Sequence, residues 1–436
     1  MSYTVSTSKN RRDNKPSSKF STKIKNASLA ISLLSTLAMP FAAHATNGLR
    51  LIGVGPTSVG MGGGAVAKPQ TSTSIYINPA GMNDTANMAD LNFLIGLPNT
   101  TMDSSLAPAG NPSAVAVGGE DDLILLPNGS ATFGFMENNK LTIGLGTFLT
   151  SGFQVEFPVS RLPAALTGNQ YDTSGRYANF KMIPAVSYRV LDNLSIGVGL
   201  DVNYSFLNAD LGTSLPGFPQ TAGRGRFDPA FGIGGRIGII YKPIDMLQLG
   251  VNYSTRQYYQ EFKRYSDVLK ESLDMPQEVN VGVALTPQEA LLLTMDFRWI
   301  NWSGVDLFGD SVLEGGLGWR DQYIFITGLQ YDFYPNFKFP AKLRLGYNYG
   351  RSPIPAESAF TNLLIPTIME HHLSAGASLE INKHLGIDVA YTHEFKNRIT
   401  DDGSLNPFGT GAYVEASANV FAFGLRGHWG RGGEKE

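Results

Sequence analysis

The chain has 436 residues, 34 Lys and Arg against 37 Asp and Glu, and no cysteine. Without cysteine, disulfides and thiolate metal sites are excluded, and an acidic balance with no basic tract argues against a nucleic-acid partner. Beyond the N-terminal leader no apolar run approaches the roughly 18 to 20 residues of a membrane-spanning helix, which sets helical membrane proteins aside.

Residues 1–45 read as an export signal. Lys9, Arg11, Arg12, Lys15, Lys19, Lys23 and Lys25 precede an apolar run from Ala27 to Phe41, and Ala43-His44-Ala45 supplies a small-x-small cleavage pattern. Its removal leaves 27 basic and 36 acidic residues, a formal charge of −9. Residues 46–88 follow, rich in glycine and ending Asn78-Pro79-Ala80-Gly81-Met82. Gly55, Gly60, Gly62, Gly63 and Gly64 are too many for a stable helix, and the segment lacks the two-residue period of a strand. A compact irregular plug inside something larger fits it.

From residue 89 the pattern changes to alternation. In Leu194 to Phe206 seven apolar residues interleave with Ser195, Gly197, Gly199, Asp201, Asn203 and Ser205, giving one apolar and one polar face. Such runs predict strands over 89–102, 129–137, 140–156, 178–191, 193–207, 227–242, 246–262, 276–287, 289–303, 319–333, 339–351, 369–382, 384–398 and 413–429. Fourteen is an even number, several runs exceed the five or six residues usual in soluble sheets, and short connections alternate with long ones. The expected fold is therefore all-β, a 14-stranded antiparallel transmembrane β-barrel over 89–429 with the glycine-rich segment in its lumen. A short tail, 430–436, would hang in the periplasm. Aromatics near strand ends suit the membrane interfaces, and Phe421 to Trp429 resembles the signal read by the outer-membrane assembly machinery.

Three stretches carry a family resemblance: Ser58-Val-Gly60-Met-Gly62-Gly-Gly64-Ala65 leading to Asn78-Pro79-Ala80, Trp319-Arg-Asp321 at a strand start, and Leu343-Arg-Leu345-Gly346-Tyr347 followed by Ser352-Pro353-Ile354-Pro355. In order and spacing they resemble the FadL/TodX (OMPP1) family of outer-membrane channels for long-chain fatty acids and other hydrophobic compounds. The resemblance implies a monomer in the outer membrane of a Gram-negative bacterium, its lumen blocked by an N-terminal hatch. It further implies that a greasy ligand lands among the outer loops, passes a pocket beside the hatch, and leaves sideways into outer-membrane lipid through a gap at a kinked third strand. No cofactor and no catalysis are implied.

On that reading Asn78, Pro79, Ala80, Gly62 and Gly64 are the hatch and gate candidates, although Asn-Pro also starts ordinary turns. Gly144, Gly146 and Gly152 are candidates for the third-strand kink, or else lumenal positions that make space for the plug. Leu162, Leu166, Leu215, Phe218, Phe360 and Leu364 are apolar for outer-loop positions, and form either a landing groove or a small core that packs the loops together. Lumenal Arg236, Arg298 and Arg344 are suited to a carboxylate head group, or are matched internally, with Asp296 and Arg298 an expected pair. His371, His372, His384, His393 and His428 read as strand-end surface polarity, and no metal site is expected. Helical spacing over 260–273 suggests a loop helix. Two other functions stay open: a general diffusion porin for polar solutes, and an outer-membrane barrel lipase.

Overall fold

The computed structural model describes residues 47–103, 117–118, 124–157, 173–210, 227–266, 269, 271–406 and 410–429. The expected signal peptide, the tail 430–436 and the groove candidates Leu162, Leu166, Leu215 and Phe218 lie outside these residues.

Fourteen strands build one wall: β1 (Met88–Asp103), β2 (Ile124–Phe135), β3 (Leu141–Phe157), β4 (Thr173–Leu191), β5 (Leu194–Asp210), β6 (Asp228–Ile244), β7 (Leu247–Ser254), β8 (Glu278–Gln288), β9 (Leu291–Ile300), β10 (Gln322–Asp332), β11 (Ala341–Gly350), β12 (His371–Asn382), β13 (Leu385–Thr400) and β14 (Tyr413–His428). Each pairs antiparallel with its neighbours in sequence, and β1 pairs with β14 from Met88↔His428 to Asp103↔Tyr413, which closes the ring. Closure matters because it leaves no row of unpaired backbone groups at a sheet edge. Alternation then sorts the side chains. Along β5, Val198, Leu200 and Tyr204 are exposed on the outside, while Asp201, Asn203 and Ser205 are buried within.

Three strands depart from the expected bounds by five residues or more, and of these β4 begins at Thr173 rather than 178 because Thr173–Tyr177 pairs with Phe153–Phe157 of β3. β7 stops at Ser254 rather than near residue 262, because Gln257 turns inward into the space left by Gly234 and Tyr258–Tyr259 then pairs back onto Gly232 and Ile233 of β6. β2 begins at Ile124 rather than 129, since Ile124–Asn128 pairs with β1 although it has no partner on β3. Over 260–273 the described residues hold only a 3-10 turn at Lys263–Tyr265, and the apolar residues expected on a helix face, Phe262, Tyr265 and Leu273, are instead buried in an apolar cluster.

Residues Asn47–Asn87 form an inner segment that fills the lumen. It contains two single-turn helices, α1 (Pro56–Gly60) and α2 (Ser74–Ile77), and a 3-10 turn at Pro79–Asn83. Almost all of it is buried against the wall. The approach is close because inward-facing glycines of several strands lie side by side: Gly197 opposite Gly238, Gly250 opposite Gly282, and Gly328 opposite Gly346. A Cβ on Gly197 would overlap the backbone of Pro79 and Ala80, one on Gly250 would meet Ala67, and one on Gly346 would overlap the backbone of Met61 and Gly62. From the other side, Gly62 and Gly63 adopt φ of 72° and 84°, a left-handed conformation that glycine enters at no steric cost.

Substituting Gly346 with Val should therefore dislodge the inner segment at an overpacking cost of about 1–3 kcal/mol, with the wall retained. Limited proteolysis of the folded variant is expected to cut within residues 47–87. Gly427→Ala, whose new methyl would find nothing nearer than 3.9 Å, should stay resistant like the parent.

Candidate translocation site

Asn78 anchors the inner segment. Its Oδ1 accepts from the Ala80 amide at 3.1 Å, so Asn78, Pro79 and Ala80 are the cap and first two residues of the 3-10 turn. Its Nδ2 donates to the carbonyls of Val66 (2.9 Å), Ile239 (3.2 Å) and Val251 (3.2 Å), tying one loop of the segment to another and to β6 and β7. Gly238, on β6, leaves the room that the Asn78 side chain occupies.

Buried charges of the wall serve the same end. Asp296 accepts from the amides of Ala65 and, at 3.3 Å, Val66, with Gly64 packed against its carboxylate. Asp90 accepts from the Ser72 amide at 2.7 Å. Arg236 is held by both oxygens of Asp201 (2.7 and 2.8 Å) and donates to the Tyr76 carbonyl, while Lys181 meets Asp201 at 2.9 Å. Arg298 donates to Asn280 at 2.5 Å and to the Gly63 carbonyl at 3.2 Å, rather than pairing with Asp296 as the sequence suggested. Arg344 donates to Gln330 (2.7 Å) and Ser378 (2.6 Å). The three arginines thus have internal partners; Arg236 and Arg298 also reach the segment's backbone.

Among the described residues the ladder is interrupted between β2 and β3. β2 and β3 pair from Phe135↔Leu141 to Gly129↔Thr147 and no further. Beyond Thr147 the alternation of β3 fails, and all eight residues from Phe148 to Val155 are buried, so the strand leaves the outer face and turns inward. The register break against β4 sits between Leu149 and Ser151, not on a glycine. Gly146 leaves space for the Phe148 ring, Gly144 for Ile75 and Met82, and the Gly152 amide donates to the Leu49 carbonyl at 3.1 Å. The Leu51 amide in turn donates to the Thr150 carbonyl at 3.1 Å, and Leu149 donates to the Asn128 side chain at 2.8 Å. Residues 49–51 and one side chain thereby occupy the edge of β3 that β2 has given up. Apolar side chains line the place: Leu51, Val59, Leu94, Ile124, Leu126 and Leu149 form one cluster.

Toward the long loops a larger apolar cluster sits on top. Trp302, Phe308 and Trp319 pack edge-on or tilted with ring centroids 4.8–5.0 Å apart, and Gly48 packs on the Trp302 ring. Phe360 and Leu364 pack against this cluster, so these two groove candidates belong to the packing between loops. The open cleft among the loops, about 1010 Å³, has a mixed lining in which Arg320, Asp321, Arg351, Glu357 and Arg398 stand beside Val312, Tyr323, Ile354, Ile399 and Leu405. Burial would raise the Asp321 carboxyl, but hydrogen bonds from Ser303, Trp299 and Asn301 hold it below the usual carboxylate range. Within the Trp319-Arg-Asp321 motif, then, Trp319 fills the cluster and Asp321 stitches residues 299–303 to the start of β10. Surface polarity is not the role of His372, which is fully buried while its neighbour His371 is exposed. Sequence reasoning missed it because alternation places one of two adjacent histidines inside without saying which.

The fold matches the Pseudomonas putida toluene transporter TodX (TM-score 0.66, 17% identity, 88% of this chain and 100% of that one). It also matches the Ralstonia pickettii toluene transporter TbuX (0.63, 17%, 87% and 99%) and a Pseudomonas aeruginosa FadL homologue (0.62, 16%, 90% and 100%). No curated protein sequence matches. The family model described as outer membrane protein transport protein (OMPP1/FadL/TodX) matches residues 42–428. With nearly the whole barrel covered, the chain belongs to the OMPP1/FadL/TodX family of outer-membrane channels that transport hydrophobic compounds.

Proposed function

We propose that this chain is a passive channel through which long-chain fatty acids or other hydrophobic compounds cross the outer membrane and leave sideways between β2 and β3. The observation that carries the reading is the apolar cluster of Leu51, Leu94, Leu126 and Leu149 at the place where β2 and β3 cease to pair. An apolar solute gains about 0.8 kcal/mol per CH₂ on entering hydrocarbon and nothing from an aqueous pore, so lateral exit follows its free-energy gradient. The inner segment, residues 46–88, acts as the hatch, with Asn78-Pro79-Ala80 as its fixed point and Gly62 and Gly64 as its hinge to the wall. Leu49–Leu51 is the part that must yield, because its hydrogen bonds cover the freed edge of β3. Similarity to two toluene transporters and a FadL homologue supports monoaromatic hydrocarbons and fatty acids equally. Residues 1–45 direct export, the assembly machinery reads the last strand, and the monomer is the working unit.

Uptake of labelled oleate or of toluene should be faster in cells carrying the gene than in cells lacking it. The native chain has no cysteine, so a Leu126→Cys/Leu149→Cys pair bridged by a short thiol-reactive linker tests the exit. Bridging is expected to lower uptake to that of cells without the gene; undiminished uptake would contradict lateral release. Replacing Asn78 with Ala removes its bonds to the carbonyls of Val66, Ile239 and Val251, at a cost of about 1–3 kcal/mol. The expected result is a lower urea midpoint for the variant in liposomes and altered uptake; an unchanged midpoint and rate would remove Asn78 from the anchor.

A further inference from the structure

Across the lumenal face of three adjacent strands runs a row of polar side chains that neither the ion pairs nor the inner segment fully uses. Asn348 on β11 lies directly opposite His372 on β12, and His372 directly opposite Glu394 on β13. All three are at most 1% exposed. Each keeps one buried atom without a hydrogen-bond partner among the described residues: Asn348 Oδ1, His372 Nε2 and Glu394 Oε2. A buried polar atom left unpaired costs free energy, so three in one row call for a partner.

The geometry also fixes what kind of partner. Asn348 donates through Nδ2 to the Gly62 carbonyl at 3.0 Å, which leaves its oxygen as the open group. His372 Nδ1 faces the Asn348 backbone carbonyl at 3.3 Å and can only donate to it, so the neutral ring presents Nε2 as an acceptor. The carboxyl of Glu394 offers acceptor oxygens. The row is therefore a line of acceptors that wants a donor. Its Glu394 end, with Thr392, borders an apolar pocket whose other walls include Leu51, Val59, Leu94, Leu126 and Val420. Several of those residues belong to the cluster at the β2–β3 discontinuity. The pocket's free volume of about 20 Å³ is room for roughly one water, so a larger guest requires Leu51–Gly53 to give way.

We propose that this pocket selects hydrophobic compounds bearing a neutral hydrogen-bond donor, a hydroxyl or amino group, which Glu394 and His372 receive while the apolar wall takes the hydrocarbon. A carboxylate head group is disfavoured, because it brings acceptors to acceptors and a negative charge into a buried site of low polarity. The inference rests on the transport reading above and narrows its substrate class.

Three probes share one ring and differ in the head group: p-cresol carries a donor, toluene none, and p-toluate only acceptors. Uptake by cells carrying the full chain, corrected for cells without the gene, should favour p-cresol over toluene by about tenfold at limiting concentration, with p-toluate lowest. In Glu394→Leu the p-cresol-to-toluene ratio should fall toward one, and Glu394→Gln, which keeps the shape and an amide oxygen, should retain part of it. Folding of each variant is read from its heat-modifiable gel mobility. If toluene is taken up with no preference for p-cresol, or p-toluate is preferred, or the ratio survives in Glu394→Leu, the inference is overturned while the transport reading stands. If none of the probes nor oleate depends on the gene, both fall.

Discussion

Everything in this barrel depends on giving partners to the backbone of a segment held where water is excluded. An irregular chain lacks the regular ladder of a sheet, so each amide and carbonyl of residues 47–87 has to be met individually. The wall does this in two ways. Glycines on neighbouring strands let backbone approach backbone, as Gly346 does to Gly62 and Gly250 to Ala67. Where the approach alone does not suffice, side chains reach in: Asp296 to Ala65 and Val66, Arg298 to Gly63, Arg236 to Tyr76, and Asp90 to Ser72. Charges that alternation places in the lumen are thus mostly structural: some reach the inner segment, while others pair along the wall, as Lys181 and Arg236 do with Asp201 and Arg426 with Glu380 and Asp388.

The same accounting explains the discontinuity in the wall. When β3 turns inward after Thr147 its edge would be orphaned, and residues 49–51 supply the missing donors and acceptors. On the proposed lateral route these bonds are the ones to be given up and remade, so that no unpaired edge is left in hydrocarbon. Gly48 on the Trp302 ring joins residues 49–51 to the apolar cluster beneath the long loops, so the loops and the β2–β3 discontinuity meet at the N-terminal end of the inner segment.

The wall was largely legible in the sequence, because a period of two states which residues face out and the length of the connections gives the order. Leu194 to Phe206 needed nothing more. Less legible were features set by contacts between distant residues. Phe148-Leu149 gives a faint signal, two apolar neighbours where alternation expects one, but the bend there is fixed by Leu49–Leu51 and Asn128, which no local pattern reveals. Glycines invited a reading as kinks; Gly144 and Gly146 make room for side chains, while the register breaks at Leu149–Ser151. Asp296 and Arg298 share a face and looked paired, yet each has a partner on the inner segment. The apolar run over 260–273 had helical spacing, and its residues were drawn instead into the cluster under the loops.

A lumen filled from wall to wall by residues 47–87 has a direct electrical signature. Single-channel recording of the intact chain in a planar bilayer should show no large steady current, only brief small openings as the cover moves. A sustained porin-like conductance from the intact chain would mean that the lumen is open to water and would contradict the account.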